Sequence, residues 1–538
     1  MDQLVAALRD SLAQDQARLD AASLYFSSVS AGAAPWLLEA LLALVSAPEL
    51  EAAVRQQAGL QLRRLLQSSS LTPELVTTIR PRLLALLGCE TWRPSVVAPC
   101  VLAALEHHGG AAAWPELVPA LVARLEAGTA LAETMETLGL VAASPGQRDL
   151  VQRNIDQILT VTVHCAARPE ERLQVAALAT MADCLDCAVA NFARESERNM
   201  ILQVVCEATQ SPSVAAAGAA LDCLARAVDC YLPLLEAYLA PALLPICLAA
   251  LRSPHPGLVM RGLELWASLA RREQDMETGG ESSLATSLVQ GDTIARLVAA
   301  LLAIILRAPD SERDLELWSP SAAAVLCLAE LAAWPQCGAA RLLGLHVAQL
   351  GAAASLSWAE VHSCLVTLPG LLGMESREDV ASLVTSFLPL APPLLTSHPA
   401  SYVRRATAAA VARIAEAGPS LPPAPGTQLL QLVSLCLGSE DAAVFQLGCA
   451  AAGAVSRQGG GAGAWHEATL RHLASLTLSH AHLGLFSALE AVIEHCPREC
   501  QNALGRNQNV NIFLKQALRT RSCVLRIFLN THKQLGTC

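Results

Sequence analysis

Histidine and glutamate side chains at short spacing come nearest to a metal-dependent catalytic motif in this chain. His466, Glu467 and His472 imitate the zinc-protease pattern, in which two histidines bind the metal and a glutamate activates water. That pattern places the two histidines four residues apart on one face of a helix. Here they are six residues apart. The two imidazoles are therefore not expected to reach one metal ion.

Cys184 and Cys187 form a Cys-x-x-Cys pair, a spacing found in zinc sites. The pair lies inside a helical apolar pattern, and no second pair follows at the spacing that a zinc site needs. His107 and His108 are adjacent, so they point in different directions from a helix. We expect these side chains to be structural, and we predict no metal and no cofactor.

A glycine-rich segment, Gly459 to Ala464, is the nearest approach to a phosphate-binding loop. It lacks the Lys-Ser/Thr that such a loop requires, so a linker is the better interpretation. Nucleophile-elbow, kinase and dinucleotide-binding motifs are also missing from the sequence. We predict that the protein is not an enzyme and has no catalytic residues, because an active site needs converging polar groups.

The composition favours helices in a water-soluble protein. Of the 538 residues, 53% are hydrophobic but only 4% are aromatic and 16% charged, and Ala and Leu, both good helix formers, dominate. The longest clean apolar run, Leu297 to Leu306, is too short for a membrane span, which needs roughly 20 residues. The N-terminus lacks the basic region of a signal peptide. We expect a soluble, intracellular chain with no membrane insertion.

Cysteine usage indicates the redox compartment of the protein, and its net charge indicates the class of partner. The 18 cysteines mostly occur singly in apolar helical stretches, as expected of small hydrophobic residues in a reducing compartment. The formal net charge of −11 argues against nucleic acid as the main ligand, which would call for a basic surface. It is compatible with a positively charged protein partner.

Self-similar segments are the main organising feature of the chain. Each begins with a small or turn-forming residue and carries apolar residues at helical spacing, and adjacent segments start roughly 41 to 44 residues apart, the period of two-helix HEAT or armadillo repeats. Such a hairpin is apolar on two faces, so it must stack on its neighbours. We predict an all-α, HEAT/armadillo-type α-α superhelical solenoid of about twelve helical hairpins. The segments are Glu171–Leu185, Ser213–Val228, Gly257–Arg272, Ser401–Ala417 and Ala442–Ser456.

A second helix between these segments, usually closed by proline, completes each predicted hairpin. Tyr231 to Leu251 is such a stretch, and the following Ser-Pro-His-Pro ends it and starts the next helix. Loops or connectors are predicted at Thr278–Ser283, Pro309–Pro320 and Gln458–Gly463. We predict two regions, a solenoid over residues 1–504 and a divergent basic tail over residues 505–538.

One long run of residues closely resembles a known family. Ala190 to Gln210, ANFARESERNMILQVVCEATQ, is similar to a segment of importin-β, the karyopherin-β nuclear import receptors. The resemblance implies HEAT repeats that bind Ran-GTP on the first repeats, phenylalanine-glycine (FG) nucleoporins between outer helices, and importin-α or basic cargo on an acidic face. Shorter matches occur in the same order at Ala58–Arg63, Glu90–Pro94, Trp114–Val122, Glu136–Gly139, Tyr238–Leu244 and Gly262–Trp266.

The resemblance assigns two candidate sites. In the nucleoporin site a shallow apolar groove accepts a phenylalanine ring, and Met200 stands where the family has Phe; ordinary packing between repeats is the alternative. In the acidic loop, carboxylates and an indole accept a Lys or Arg side chain, although Arg313 interrupts the acidic run; a plain solvated loop is the alternative. The groove residues are Leu159, Thr160, Val163, Glu197, Met200 and Ile201, and the loop residues for Ran or cargo are Asp310, Glu312, Asp314, Glu316 and Trp318.

Several anchors of the family are missing. Arg271-Arg272-Glu273 replaces an acidic run, and Ala409 and Ala450 replace two tryptophans of the inner face. Each change removes a charge or a cation–π contact, so we expect weakened Ran binding and weak capture of importin-α. We predict a divergent, shortened importin-β-like receptor for nuclear protein import, present in cytoplasm, nucleus and nuclear pore. The alternatives are a helical scaffold that has lost transport and, for the basic tail, a truncated reading frame.

Overall fold

A computed structural model describes residues 1–68, 71–89, 95–279, 292–313, 318–334, 337–373, 377–417 and 423–457, with residues 469, 488, 491 and 492. Every regular element in these ranges is a helix, which confirms the all-α prediction. The chain divides into two compact units, residues 1–284 and 285–538. Among the described residues, no helix is long and apolar enough to cross a membrane. The predicted boundary at residue 504 lies outside the described ranges.

The first unit is a series of helical hairpins. Its second-layer helices α3, α5, α8, α11, α14 and α17 pack one against the next, and each packs against the helix of its own hairpin in a first layer that includes α7, α10 and α13. The helices of this unit are α1 (Asp2–Asp10), α2 (Gln16–Ser46), α3 (Ala52–Leu66), α4 (Pro73–Ala85), α5 (Val97–His107), α6 (Gly110–Ala113), α7 (Leu117–Glu126), α8 (Leu131–Ala143), α9 (Arg148–Arg153), α10 (Ile155–Ala166), α11 (Glu171–Cys184), α12 (Val189–Ala193), α13 (Glu195–Ala208), α14 (Val214–Tyr231), α15 (Glu236–Tyr238), α16 (Leu244–Leu251) and α17 (Pro256–Gly279).

The second unit repeats this arrangement. Helices α19, α21, α24 and α26 pack in succession, and their hairpin partners are α18, α20, α23 and α25. The predicted total of about twelve hairpins also counts the chain beyond residue 457, which is almost wholly outside the described residues. The helices of this unit are α18 (Thr293–Arg307), α19 (Pro320–Ala333), α20 (Ala339–Ala348), α21 (Trp358–Leu371), α22 (Arg377–Phe387), α23 (Ala391–Thr396), α24 (Ser401–Ala417), α25 (Pro423–Leu437) and α26 (Ala442–Arg457).

The repeat helices begin and end close to their predicted bounds, because residues at their ends, such as capping serines, fix where a helix starts. Ser213 caps α14, because its hydroxyl accepts a hydrogen bond from the Ala216 amide at 3.2 Å. The buried face of α14 consists mostly of Ala, Leu and Cys, so neighbouring helices approach closely. At Gly139 of α8, an added Cβ would lie 2.7 Å from the Thr180 hydroxyl of α11. Small residues therefore set the spacing of the second layer.

Two predictions about local structure are wrong in detail. The stretch 231–251 is not one helix: it contains a 3₁₀ turn (Leu232–Leu234), α15, a π-helical turn (Leu239–Leu243) and α16. Its prolines cannot donate the backbone hydrogen bonds of a continuous helix, which explains the breaks. The loop predicted at Thr278–Ser283 is wrong at its start, since α17 continues through Gly279. The rest of that stretch and the connector predicted at Gln458–Gly463 lie outside the described residues.

Candidate functional site

Helices α10 and α13, which carry the predicted nucleoporin groove, are adjacent and in contact in the first layer. A buried amide joins their N-terminal ends, because Asn191 Nδ2 donates to Asp156 of α10 at 2.7 Å and to Glu197 of α13 at 2.8 Å. Glu197 also pairs with Arg194. This network holds the two helices in register at one end of the groove.

The predicted groove residues separate into buried and exposed sets. Ile201 is only 4% exposed, and Leu159 and Val163 are also buried. Met200 is 59% exposed. Thr160 is exposed as well, with its hydroxyl donating to the Asp156 carbonyl, and Glu197 is half-buried. The two helices thus carry an exposed thioether and an exposed hydroxyl together with three buried apolar side chains, and the burial of those three is also what ordinary packing between repeats requires.

Three side chains that were not among the predicted site residues form further contacts on α13. The Arg198 guanidinium carbon lies 5.9 Å from the centre of the Tyr238 ring, and the Tyr238 hydroxyl donates to the Asn199 side chain. These contacts join α13 to α15, so the far side of α13 is held as well. Arg198 and Asn199 belong to the family-like run, but Tyr238 is 39 residues from Asn199, and only the fold brings them together.

The described part of the predicted acidic loop follows α18. Asp310 and Glu312 bound a short 3₁₀ turn, and the Asp310 side chain is exposed. Trp318 is 70% exposed. Asp314 and Glu316 lie outside the described residues, as does the Glu312 side chain. The described part of the loop therefore exposes one carboxylate, which pairs with Arg313, and one indole.

Arg313 is directed into the fold and not towards a ligand. It is only 5% exposed, and its guanidinium donates to the carbonyls of Ile305 (3.3 Å) and Leu306 (3.0 Å) at the end of α18. It also pairs with Asp310 at 3.2 Å and lies 5.4 Å from the Tyr402 ring of α24. The one basic residue between Asp310 and Trp318 thus ties the start of the loop to a second-layer helix.

The surroundings of the Arg313 guanidinium shift the pKa values of two neighbouring side chains, His362 and Tyr402. His362 of α21 is fully buried, with its ring edge-on to Tyr402 at 5.3 Å. Burial, reinforced by the Arg313 charge, lowers the pKa of His362 to about 4. Burial and the Asp310 carboxylate raise the pKa of the Tyr402 phenol. Both side chains are therefore neutral near pH 7.

The cysteines of the Cys-x-x-Cys pair lie at the end of α11 and in the turn that follows. Burial raises the pKa of Cys184 well above its usual range, and it raises that of the neighbouring Cys223 to about 12. These groups are thiols at neutral pH, whereas metal binding and nucleophilic attack need thiolates. Within the described ranges, no group of three or more His, Cys, Asp or Glu residues is placed to hold a metal ion.

Sequence comparison relates the chain to curated importin-β proteins. It is 28% identical over 303 residues to importin subunit beta-1 of Schizosaccharomyces pombe, a match that covers 51% of this chain and 35% of that protein. It is 27% identical over 320 residues to the Arabidopsis thaliana protein, covering 56% and 36%. The matched region thus spans about a third of the length of these relatives. No family model matches the chain.

Solved structures agree on the fold. A crystal structure of importin-β superposes with a TM-score of 0.80 at 19% identity, covering 94% of this chain and 63% of the other. Yeast importin-β (Kap95p) gives 0.79 at 20% identity, covering 96% and 64%. The Kap95:Nup1 complex gives 0.78 at 21% identity, covering 97% and 64%. The predicted resemblance to importin-β and the predicted HEAT-type solenoid fold are confirmed.

Proposed function

Since the chain is a relative of importin-β, we propose that it acts as a nuclear transport receptor for protein import. The observation that carries this proposal is Met200, a large apolar side chain that is 59% exposed on α13, a helix in contact with α10. Surface apolar groups next to a packed helix pair suit a single aromatic ring of a partner. The flexible thioether of Met adapts to such a ring.

The proposed ligand of this groove is the FG repeat of nucleoporins. Thr160 and Glu197 provide polar groups at its edge, and Leu159, Val163 and Ile201 provide its apolar floor. Several weak contacts of this type, made at once, give avidity while each contact still dissociates rapidly. The structure of the Kap95:Nup1 complex, which has the same fold, supports this assignment.

Ran and cargo are the other proposed partners. One of the related structures describes Kap95p binding to RanGDP, whose switch loops adopt the GTP-bound conformation. We propose that the first repeats and the acidic loop of the present chain bind Ran-GTP. The missing acidic residues weaken this binding. Importin-α or basic cargo would bind the second-layer face. We expect the protein in the cytoplasm, in the nucleus and at the nuclear pore. We expect it neither to bind nucleic acid nor to insert into a membrane.

Met200→Glu tests the nucleoporin assignment. A carboxylate cannot enter an apolar slot without losing its hydration, so binding to an immobilised FG-repeat fragment should fall at least about tenfold and nuclear-rim localisation should be lost. Gln203→Glu is the matched control, because it makes the same charge change at an exposed position of α13. Equal binding by both variants, or no binding by the unmodified chain, would contradict the proposal.

A scaffold without transport activity is the second candidate. Three observations favour it: the floor of the groove is buried as packing, Ala409 and Ala450 stand where the family has tryptophans, and Arg313 is turned inward. GTP-dependent capture of Ran by the full chain separates the two functions. Retention on Ran-GTP but not on Ran-GDP supports transport, whereas equal absence from both, with no FG binding, supports the scaffold.

A further inference from the structure

An open cavity of about 530 Å³ lies between two successive repeats of the first unit. Its walls are the turn from α10 to α11 with the first turn of α11, the turn from α13 to α14, and the last helical turns of α10 and α13. Ala167, Arg168 and Gln174 line one side, and Val204, Glu207 and Ser211 line the other. The volume is within the range of sites that hold small organic ligands or short peptides.

The cavity continues the proposed FG groove by one helical turn. Residues four apart share a helix face, so Ala167, the C-cap residue of α10, follows Val163, and Val204 follows Met200 along α13. The groove residues and the cavity residues named here therefore lie on the same face of each helix. A peptide whose phenylalanine sits in the groove would pass through the cavity with its flanking residues.

The lining of the cavity is polar where the groove is apolar. The Gln174 side chain donates to the Ala166 carbonyl at 2.9 Å and accepts from the Ser211 hydroxyl at 3.3 Å. A carboxamide has two N–H groups and two lone-pair positions on its oxygen, so Gln174 keeps one of each for a ligand. A peptide group also has one hydrogen-bond donor and one acceptor, so it matches the remaining N–H and lone pair of the Gln174 carboxamide.

The charges at the rim limit what this peptide can carry. Glu171 and Glu207 are exposed at the rim, with Arg168 as the one cation among the lining residues. Glu171 and Glu207 repel a ligand rich in carboxylates, and Arg168 offsets part of the attraction that these two side chains exert on a basic one. Uncharged polar residues such as Ser, Thr, Asn or Gln meet neither penalty and retain their hydrogen bonds.

We propose that this cavity is a second subsite, which binds an extended, uncharged polar peptide segment flanking the phenylalanine held in the groove. The inference rests on the proposed function, because it takes the groove as the site of the phenylalanine ring. The cavity sets the preference for the residues around each Phe-Gly, while the groove holds the ring itself.

Two peptide probes test the subsite with the full chain. One is a capped Phe-Gly dipeptide, and the other has Ser and Asn residues on both sides of the same Phe-Gly. In ligand-observed NMR titrations the longer peptide should bind about tenfold tighter. Ala167→Trp should remove this advantage without changing dipeptide affinity, because the indole fills the cavity from an exposed position. Ala179→Trp, at an exposed position of α11, is the matched control and should keep the advantage.

The outcomes separate the subsite from the proposed function. Equal affinity for the two peptides, or an advantage that survives Ala167→Trp, overturns the subsite and leaves FG binding in place. Met200→Glu should weaken both peptides. If neither peptide binds the unmodified chain, the nucleoporin assignment and the subsite both fail.

Discussion

Arg313 lies among acidic residues in the sequence, yet its guanidinium is buried among backbone carbonyls at the end of α18. The last carbonyls of a helix have no partner within it, so a planar fork of N–H donors is well suited to them. Asp310 neutralises the charge, and the Tyr402 ring covers it. A buried guanidinium with these partners is stable, whereas an unpaired one is strongly disfavoured.

The neighbouring His362 predicts an acid-sensitive contribution to stability. Its pKa is about 4 in the folded chain and about 6.5 in an unfolded one. As pH falls below about 6.5, the unfolded chain binds a proton that the folded chain excludes, so stability falls until about pH 4. In urea unfolding, His362→Leu should make the loss of stability from pH 7 to pH 5 smaller by about 2 kcal/mol.

His107→Leu is the control for this experiment. It removes an imidazole from the exposed end of α5, so the acid-dependent loss should remain close to that of the unmodified chain. If His362→Leu shows the same loss as the unmodified chain, the buried ring is not the group responsible.

At the scale of the helices, glycines set how closely the second layer packs. A Cβ added at Gly370 of α21 would lie 3.0 Å from both the Cα and the Cβ of Ala329 in α19. Relief of that contact requires the two helix backbones to separate. We therefore expect Gly370→Ala to lower the free energy of unfolding by about 1–3 kcal/mol.

Gly344→Ala provides the contrast on a neighbouring helix. Gly344 lies inside α20 with no atom within 4 Å of an added Cβ, so alanine should stabilise the chain by up to about 1 kcal/mol through its helix propensity. The two variants should shift the urea midpoint in opposite directions. A shift in the same direction would mean that α19 and α21 do not approach as closely as the fold shows.

At the scale of the whole molecule, the stability of each hairpin depends on the hairpins next to it, because each repeat contacts its neighbours. The second-layer helices of the first unit contact mainly the helices before and after them, so a local defect should weaken adjacent hairpins more than distant ones. Leu178 of α11 is fully buried. Leu178→Ala should increase amide hydrogen exchange most in α8, α11 and α14, with a smaller effect in α3 and α17.

Ala179→Ser on the same helix is the comparison, because this position is exposed and the change should leave exchange nearly unaltered. A uniform increase over the whole first unit after Leu178→Ala would indicate one shared core and would contradict a chain of stacked hairpins.

Helix type, repeat period and the main helix bounds follow from the sequence alone. Apolar spacing and the Ser213 cap are local properties, so α11, α14 and α24 begin and end within a few residues of their predictions. The fold decides the contacts between residues far apart in the chain. The burial of Ile201 next to an exposed Met200, and the direction of Arg313 towards Tyr402, depend on neighbouring repeats. A sequence pattern shows which residues share a helix face, but only the packed neighbours determine which part of that face remains open to a partner.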